Sequence, residues 1–175
     1  MPRYVALLYS VVLPGRRVTA ADLIALAEGA GLRSPQALLA TGNLLFEADE
    51  AAPALERRLE AAFLAQLGKP HPIIIRSAED WLRLAAGNPF PAESTADGSA
   101  VMVRVQRERL GSETLALLAP FRAAEKLALV DGDLWVRLPA AAPTRLSAAL
   151  TPKRLGIGTI RNWNTVRRIA EALGG

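Results

Sequence analysis

The chain has 175 residues, 51% hydrophobic and 22% charged, enough for one ordinary domain or two small subdomains and too apolar for wholesale disorder. It holds no Cys and a single His, which excludes disulfides, thiolate nucleophiles, Cys-based zinc sites and multi-histidine metal clusters. The formal charge of +4 is unevenly spread: residues 1 to 140 carry 15 Lys/Arg against 16 Asp/Glu, whereas residues 141 to 175 carry six against Glu171 alone.

In chain order, the apolar run Tyr4 to Tyr9 reads as a central strand shielded on both faces. It has neither the cationic start and cleavage site of a signal peptide nor the roughly 20 apolar residues of a membrane span, so a cytoplasmic protein without a membrane partner is expected. After a Pro14-Gly15 turn, Thr19 and Asp22 form a cap signature for a helix ending near Gly29 to Gly31. Gln36 to Ala40 and Leu44 to Phe46 read as strands around Thr41-Gly42-Asn43, a turn whose Gly and Asn tolerate positive φ. Leu55, Leu59, Ala62 and Phe63 set a helical period over Pro53 to Leu67, and Ile73-Ile74-Ile75 is a β-branched strand. The order β-α-β-β-α-β within the first 76 residues is the ferredoxin-like plan.

Ser77 caps a third helix running to Ala86, and Pro91 to Ser99 reads as a loop. Ala100 to Val105 is a strand and Glu113 to Leu118 a helix. Lys126 to Val130 and Leu134 to Leu138 form a hairpin about Asp131-Gly132, and Thr144 to Leu150 is helical. The predicted class is α+β: a ferredoxin-like βαββαβ half, then a second α/β half of β-α-β-β plus C-terminal helices. The chain is one compact domain over 1–175, or two subdomains at 1–76 and 77–175. The halves echo each other in element order without a residue-level repeat. In the last helix Trp163, Val166, Ile169, Ala170 and Leu173 share the inward face, which predicts a buried Trp163.

The ending Thr159-Ile160-Arg161-Asn162-Trp163-Asn164-Thr165-Val166 resembles the C-terminal signature of the bacterial domain of unknown function 1697 family. Supporting matches are Arg3 to Leu8, Thr41-Gly42-Asn43-Leu44-Leu45-Phe46, Ile75-Arg76-Ser77-Ala78 and Asn88-Pro89-Phe90. The resemblance implies a small cytoplasmic α+β protein with ferredoxin-like parts and no established activity. Family members look like Arg-Gly-Ile-Asn-Val-Gly-Gly after the first strand. Here the loop is Tyr9-Ser10-Val11-Val12-Leu13-Pro14-Gly15, so an Arg and flexible amides that such a loop would offer an anion are missing.

Candidate site residues are Thr41, Gly42 and Asn43 in the first hairpin and Lys153, Arg154, Arg161, Asn162, Asn164, Thr165 and Arg168 in the basic tail. Gly156-Ile157-Gly158 reads first as a turn joining two helices with its basic residues in solvent, and with those cations it also suits a phosphate. There is no Rossmann or Walker fingerprint. Asn162 or Asn164 suits a helix cap or a ligand contact. His71 stands alone, as a surface residue. Trp81 and Trp135 read as core or interface. No residue qualifies as a catalytic nucleophile, and no cofactor or metal ligand set emerges. Three functions stay open. One is non-enzymatic binding of a phosphate-bearing ligand or nucleic acid through the basic tail. Another is an enzyme on a polar or phosphorylated substrate, with Asn43 and Arg161 to Thr165 converging. The third is an assembly module or homodimer, which exposed apolar strand edges would favour.

Overall fold

A computed structural model describes residues 1–9, 12–13, 15–39, 42–140 and 144–174. Ser10, Val11, Pro14, Ala40 and Thr41, which the loop and hairpin readings invoke, lie outside the described residues. The chain divides into two compact units, Met1–Leu82 with Ile169–Gly175, and Arg83–Arg168.

In the first unit, β1 (Arg3–Leu8) is followed by a small hairpin, β2 (Val12–Leu13) and β3 (Arg16–Arg17), and by α1 (Ala20–Gly29). Next come β4 (Arg33–Leu38), β5 (Asn43–Glu47), α2 (Ala52–Leu67) and β6 (Ile73–Ser77). The antiparallel sheet runs β4-β5-β1-β6, so the uninterrupted apolar strand is central, as its lack of polar alternation requires. Thr19 and Asp22 make the expected capping box, Asp22 N–H donating to Thr19 Oγ1 at 3.2 Å and Thr19 N–H to Asp22 Oδ2 at 2.7 Å. Tyr4, Ala6 and Leu8 pack on Leu23 and Ala27 of α1 and on Leu55, Leu59 and Phe63 of α2. On the other sheet face Val5, Leu7, Leu45 and Ile74 are buried as well. His71, expected at the surface, is half-buried with its ring edge-on to Phe63.

Helix α3 (Ala78–Ala86) follows β6 directly, with Ser77 Oγ accepting from Asp80 N–H at 3.1 Å. The second unit then holds α4 (Pro91–Ala96), β7 (Val101–Gln106), α5 (Thr114–Leu118), a 3₁₀ turn (Ala119–Phe121), β8 (Lys126–Val130) and β9 (Asp133–Arg137). A 3₁₀ turn (Leu146–Ala148), α6 (Pro152–Leu155), β10 (Gly158–Asn162) and α7 (Trp163–Gly174) complete the chain. Three readings are corrected here. Pro91 to Ser99 is not all loop, because Pro91 opens α4 and Thr95 Oγ1 donates to Pro91 O at 2.9 Å. Thr144 to Leu150 is reduced to one 3₁₀ turn, its start held by Thr144 Oγ1, which accepts from Leu146 N–H at 3.1 Å. Gly158 to Asn162 is a strand rather than part of a turn between helices, because it pairs with β7 from Gly158↔Gln106 to Asn162↔Met102.

That strand completes the second sheet, whose order β8-β9-β7-β10 is the order of the first with each strand replaced by its counterpart. Asp131 and Gly132 both have positive φ, 49° and 80°, as a two-residue primed hairpin turn demands. Val101, Val103 and Val105 occupy one face of β7 and are fully buried. Met102, on the other face, packs against Leu118, Leu134, Val136, Leu146, Ala149 and Leu155.

Candidate functional site

Beyond Met102 the same face of β7 turns polar. Arg104 is 3% exposed and Gln106 0%. Arg104 Nη2 donates to Gly156 O at 3.0 Å and Gln106 Nε2 to Leu155 O at 2.7 Å, so both side chains close the carbonyls left open at the end of the four-residue α6. Buried Asp133, the first residue of β9, accepts from Gln106 N–H at 2.8 Å. Gly158 lies against this group: a methyl there would run into Arg104 Nη1 and Gln106 Oε1. Sequence reasoning missed Arg104, Gln106 and Asp133 as a group. The available signal was polar side chains at alternate positions of an otherwise Val-rich strand.

The turn just before β10 carries the exposed cations. Lys153 and Arg154 lie on α6, beside a cavity of about 390 Å³ that they line with Thr151. The Arg154 guanidinium sits 4.7 Å from the ring centroid of Phe121 and Nη1 donates to Ala149 O at 3.5 Å, contacts that orient its plane. Neither residue pairs with a carboxylate among the described residues, unlike Arg16 with Asp22, Arg33 with Asp49 and Lys126 with Glu93. Gly156 has φ +76° and provides the break between α6 and β10.

The strand–helix junction that follows is held by the other tail candidates. Arg161 is half-buried, with Nη1 donating to Thr159 Oγ1 at 2.8 Å and to Ile160 O at 2.9 Å. Asn162 Oδ1 accepts from Thr165 N–H at 3.0 Å and so takes the capping role. Asn164 is exposed and close to Gly98, where its carboxamide leaves no room for a Cβ, and Trp163 N–H donates to Gly98 O at 3.1 Å. Arg168 is exposed. The inward face of α7 is as expected for Val166, Ile169 and Leu173, at 0%, 0% and 5% exposed. Trp163 departs from the expectation. It is half-buried at the first position of α7, where its ring lies 6.2 Å from that of Trp135.

In the other unit, Gly42 O accepts from Leu8 N–H at 2.9 Å, and Asn43 is buried with Nδ2 donating to Leu38 O at 3.1 Å. Asn43 therefore ties the hairpin base, whereas Asp133, at the same place in the second unit, is bonded to β7 instead. Glu125, also buried, accepts from Ala123 N–H at 2.7 Å and from the Thr144 hydroxyl. The Thr144 hydroxyl, then the Ala123 amide, hold its carboxyl below the usual carboxylate range. No group of three His, Cys, Asp or Glu suited to a metal occurs among the described residues. No helix there is long and apolar enough to cross a membrane.

A family model described as "Protein of unknown function (DUF1697)" matches residues 1–135. That span stops before the C-terminal signature. No curated protein matches the chain. A solved structure described as conserved bacterial protein SP0830 from Streptococcus pneumoniae is similar at a TM-score of 0.72 and 21% identity, with 98% of each chain covered; at that identity the likeness concerns the fold. The chain belongs to the DUF1697 family.

Proposed function

We propose that this member of the DUF1697 family is a cytoplasmic, non-enzymatic binding protein that takes a phosphate-bearing ligand at its basic turn, Thr151 to Arg154. The observation that carries the reading is the pair of adjacent exposed cations, Lys153 and Arg154, without a carboxylate partner among the described residues. An exposed ion pair is worth little and a solvated cation nothing, but two cations on a hydroxyl-bearing turn, one fixed over an aromatic ring, form a prepared anion contact. Arg167 and Arg168 add exposed positive charge in the same unit. The non-enzymatic half of the reading is supported by composition, since the chain has no thiol and one imidazole.

The test titrates the wild type and a Lys153→Ala/Arg154→Ala double variant with a labelled single-stranded RNA, a DNA oligonucleotide and inorganic pyrophosphate, at several salt concentrations. Each single-strand phosphate contact contributes about 0.7 to the log–log salt slope, so losing two lowers it by about 1.4. Preference for the oligonucleotides assigns a nucleic acid, and equal response to pyrophosphate assigns a small phosphate compound. Binding indifferent to both substitutions would sink the reading.

A further inference from the structure

We propose that the outer edge of β10, at Ile160, is a docking strand for an extended protein segment in which acidic and apolar residues alternate. The motive is the register of the β7–β10 pair. Arg107 N–H donates to Ile157 O at 2.9 Å, which makes Arg107 and Ile157 a hydrogen-bonded pair in the ladder. Bonded and non-bonded pairs alternate in an antiparallel ladder, and Gly158, Ile160 and Asn162 therefore direct their N–H and C=O groups away from β7. Strand β10 is the end strand of its sheet. Ile160 is 41% exposed; its outward C=O accepts from Arg161 Nη1 at 2.9 Å, and its N–H has no acceptor among the described residues.

The equivalent edge of the first unit is closed. There β6 is the end strand, and its outward amides at Ile73 and Ile75 donate to Glu60 Oε1 and Glu56 Oε1, both at 3.0 Å. Those carboxylates sit one turn apart on the sixteen-residue α2. In the second unit the helix at that place in the order is the four-residue α6, which carries Lys153 and Arg154 and no acid. An edge left with an open amide and an exposed Ile is one that natural sheets ordinarily cover or charge, and adding a strand is the standard way of using it.

Charge selects the occupant. From Leu134 to Ala170 the sequence contains no Asp or Glu and seven Lys/Arg. A second copy paired antiparallel through its own β10 about Ile160 would set the two Arg161 side chains as diagonal neighbours on one face, like charge near like charge. A strand that places carboxylates beside Arg161, on one face, and an apolar residue beside Ile160, on the other, satisfies both faces at once. This proposal is independent of the phosphate reading, because it requires the backbone of β10 rather than Lys153 and Arg154.

The test uses the full chain and an end-blocked peptide alternating glutamate with valine, followed by fluorescence anisotropy and by hydrogen exchange at Ile160. The wild type is expected to bind the peptide and to slow exchange of the Ile160 amide. Ile160→Pro removes only an outward N–H and leaves the bonds to β7 in place, so it is expected to weaken binding at least tenfold with a near-unchanged melting curve. Methylating the pairing amides of the peptide, which leaves the protein untouched, is expected to give the same loss. A lysine–valine peptide is expected to bind at least tenfold more weakly. Absence of binding, equal binding of the lysine peptide, or indifference to amide methylation overturns the proposal. So does sedimentation showing a dimer that Ile160→Pro dissolves, which would make a second copy the occupant.

Discussion

The two units share one topology and fill it differently. In the first, α2 runs sixteen residues and lays Leu55, Leu59, Phe63 and Leu67 over β1 and its neighbours, so the facing side chains of β1 are Tyr4, Ala6 and Leu8. In the second, α6 has four residues and delivers one buried apolar side chain, Leu155. The facing residues of β7 are accordingly Met102, Arg104 and Gln106, and the last two bond the carbonyls at the end of α6. Where a long helix satisfies its own backbone and brings apolar surface, a short one leaves backbone acceptors that buried donors must reach. The shorter helix thus explains a polar core end, an obligatory small residue at Gly158 and an end strand whose Ile160 is exposed.

The contrast is tested first at the helices themselves. Phe63→Ala empties a fully buried site in the first unit and is expected to cost about 3 to 5 kcal/mol, whereas Leu155→Ala on α6 is expected to cost about 2 to 3 kcal/mol. Chemical denaturation of both variants measures the difference, and equal losses would break the comparison. A subtler change is Gly158→Ala, which pushes a methyl into Arg104 and Gln106. It is expected to cost about 1 to 3 kcal/mol. Gly174→Ala in α7, where the nearest atom to an added methyl is Leu82 Cδ2 at 3.6 Å, is expected to be close to neutral in the same melting experiment.

The smallest effect concerns acid. Glu125 has its carboxyl lowered in the folded state, first by the Thr144 hydroxyl and then by the Ala123 amide. A carboxyl lowered on folding stabilises fully above its unfolded value, near 4.3, and loses that contribution as pH falls through the folded value. Glu125→Gln is therefore expected to lower stability at neutral pH and to flatten the acid limb below about pH 4. Parallel unfolding curves of variant and wild type across that range would show that the Thr144 bond does not hold in solution.

Much of this architecture can be read locally. The apolar run of β1, the Thr19/Asp22 box, the period of α2, the Asp131-Gly132 turn and the cap at Asn162 each follow from residues within a few positions of one another, where backbone preference and side-chain periodicity act without help from the rest of the chain. Gly158-Thr159-Ile160-Arg161-Asn162 has no such local signal, with Gly and Asn at its ends. It is a strand because β7, some 50 residues earlier in the chain, offers it a ladder. The candidate site divides the same way. The sequence by itself determined that the tail is basic and that its Asn residues suit a helix start. Only tertiary structure assigned Asn43 to a hairpin base, left Lys153 and Arg154 without a carboxylate partner among the described residues, buried Arg104 and Gln106, and exposed Ile160. Burial and pairing at these positions depend on what arrives from elsewhere in the chain, and a short helix arriving where a long one stands in the other unit decides which polar groups are used and which remain open.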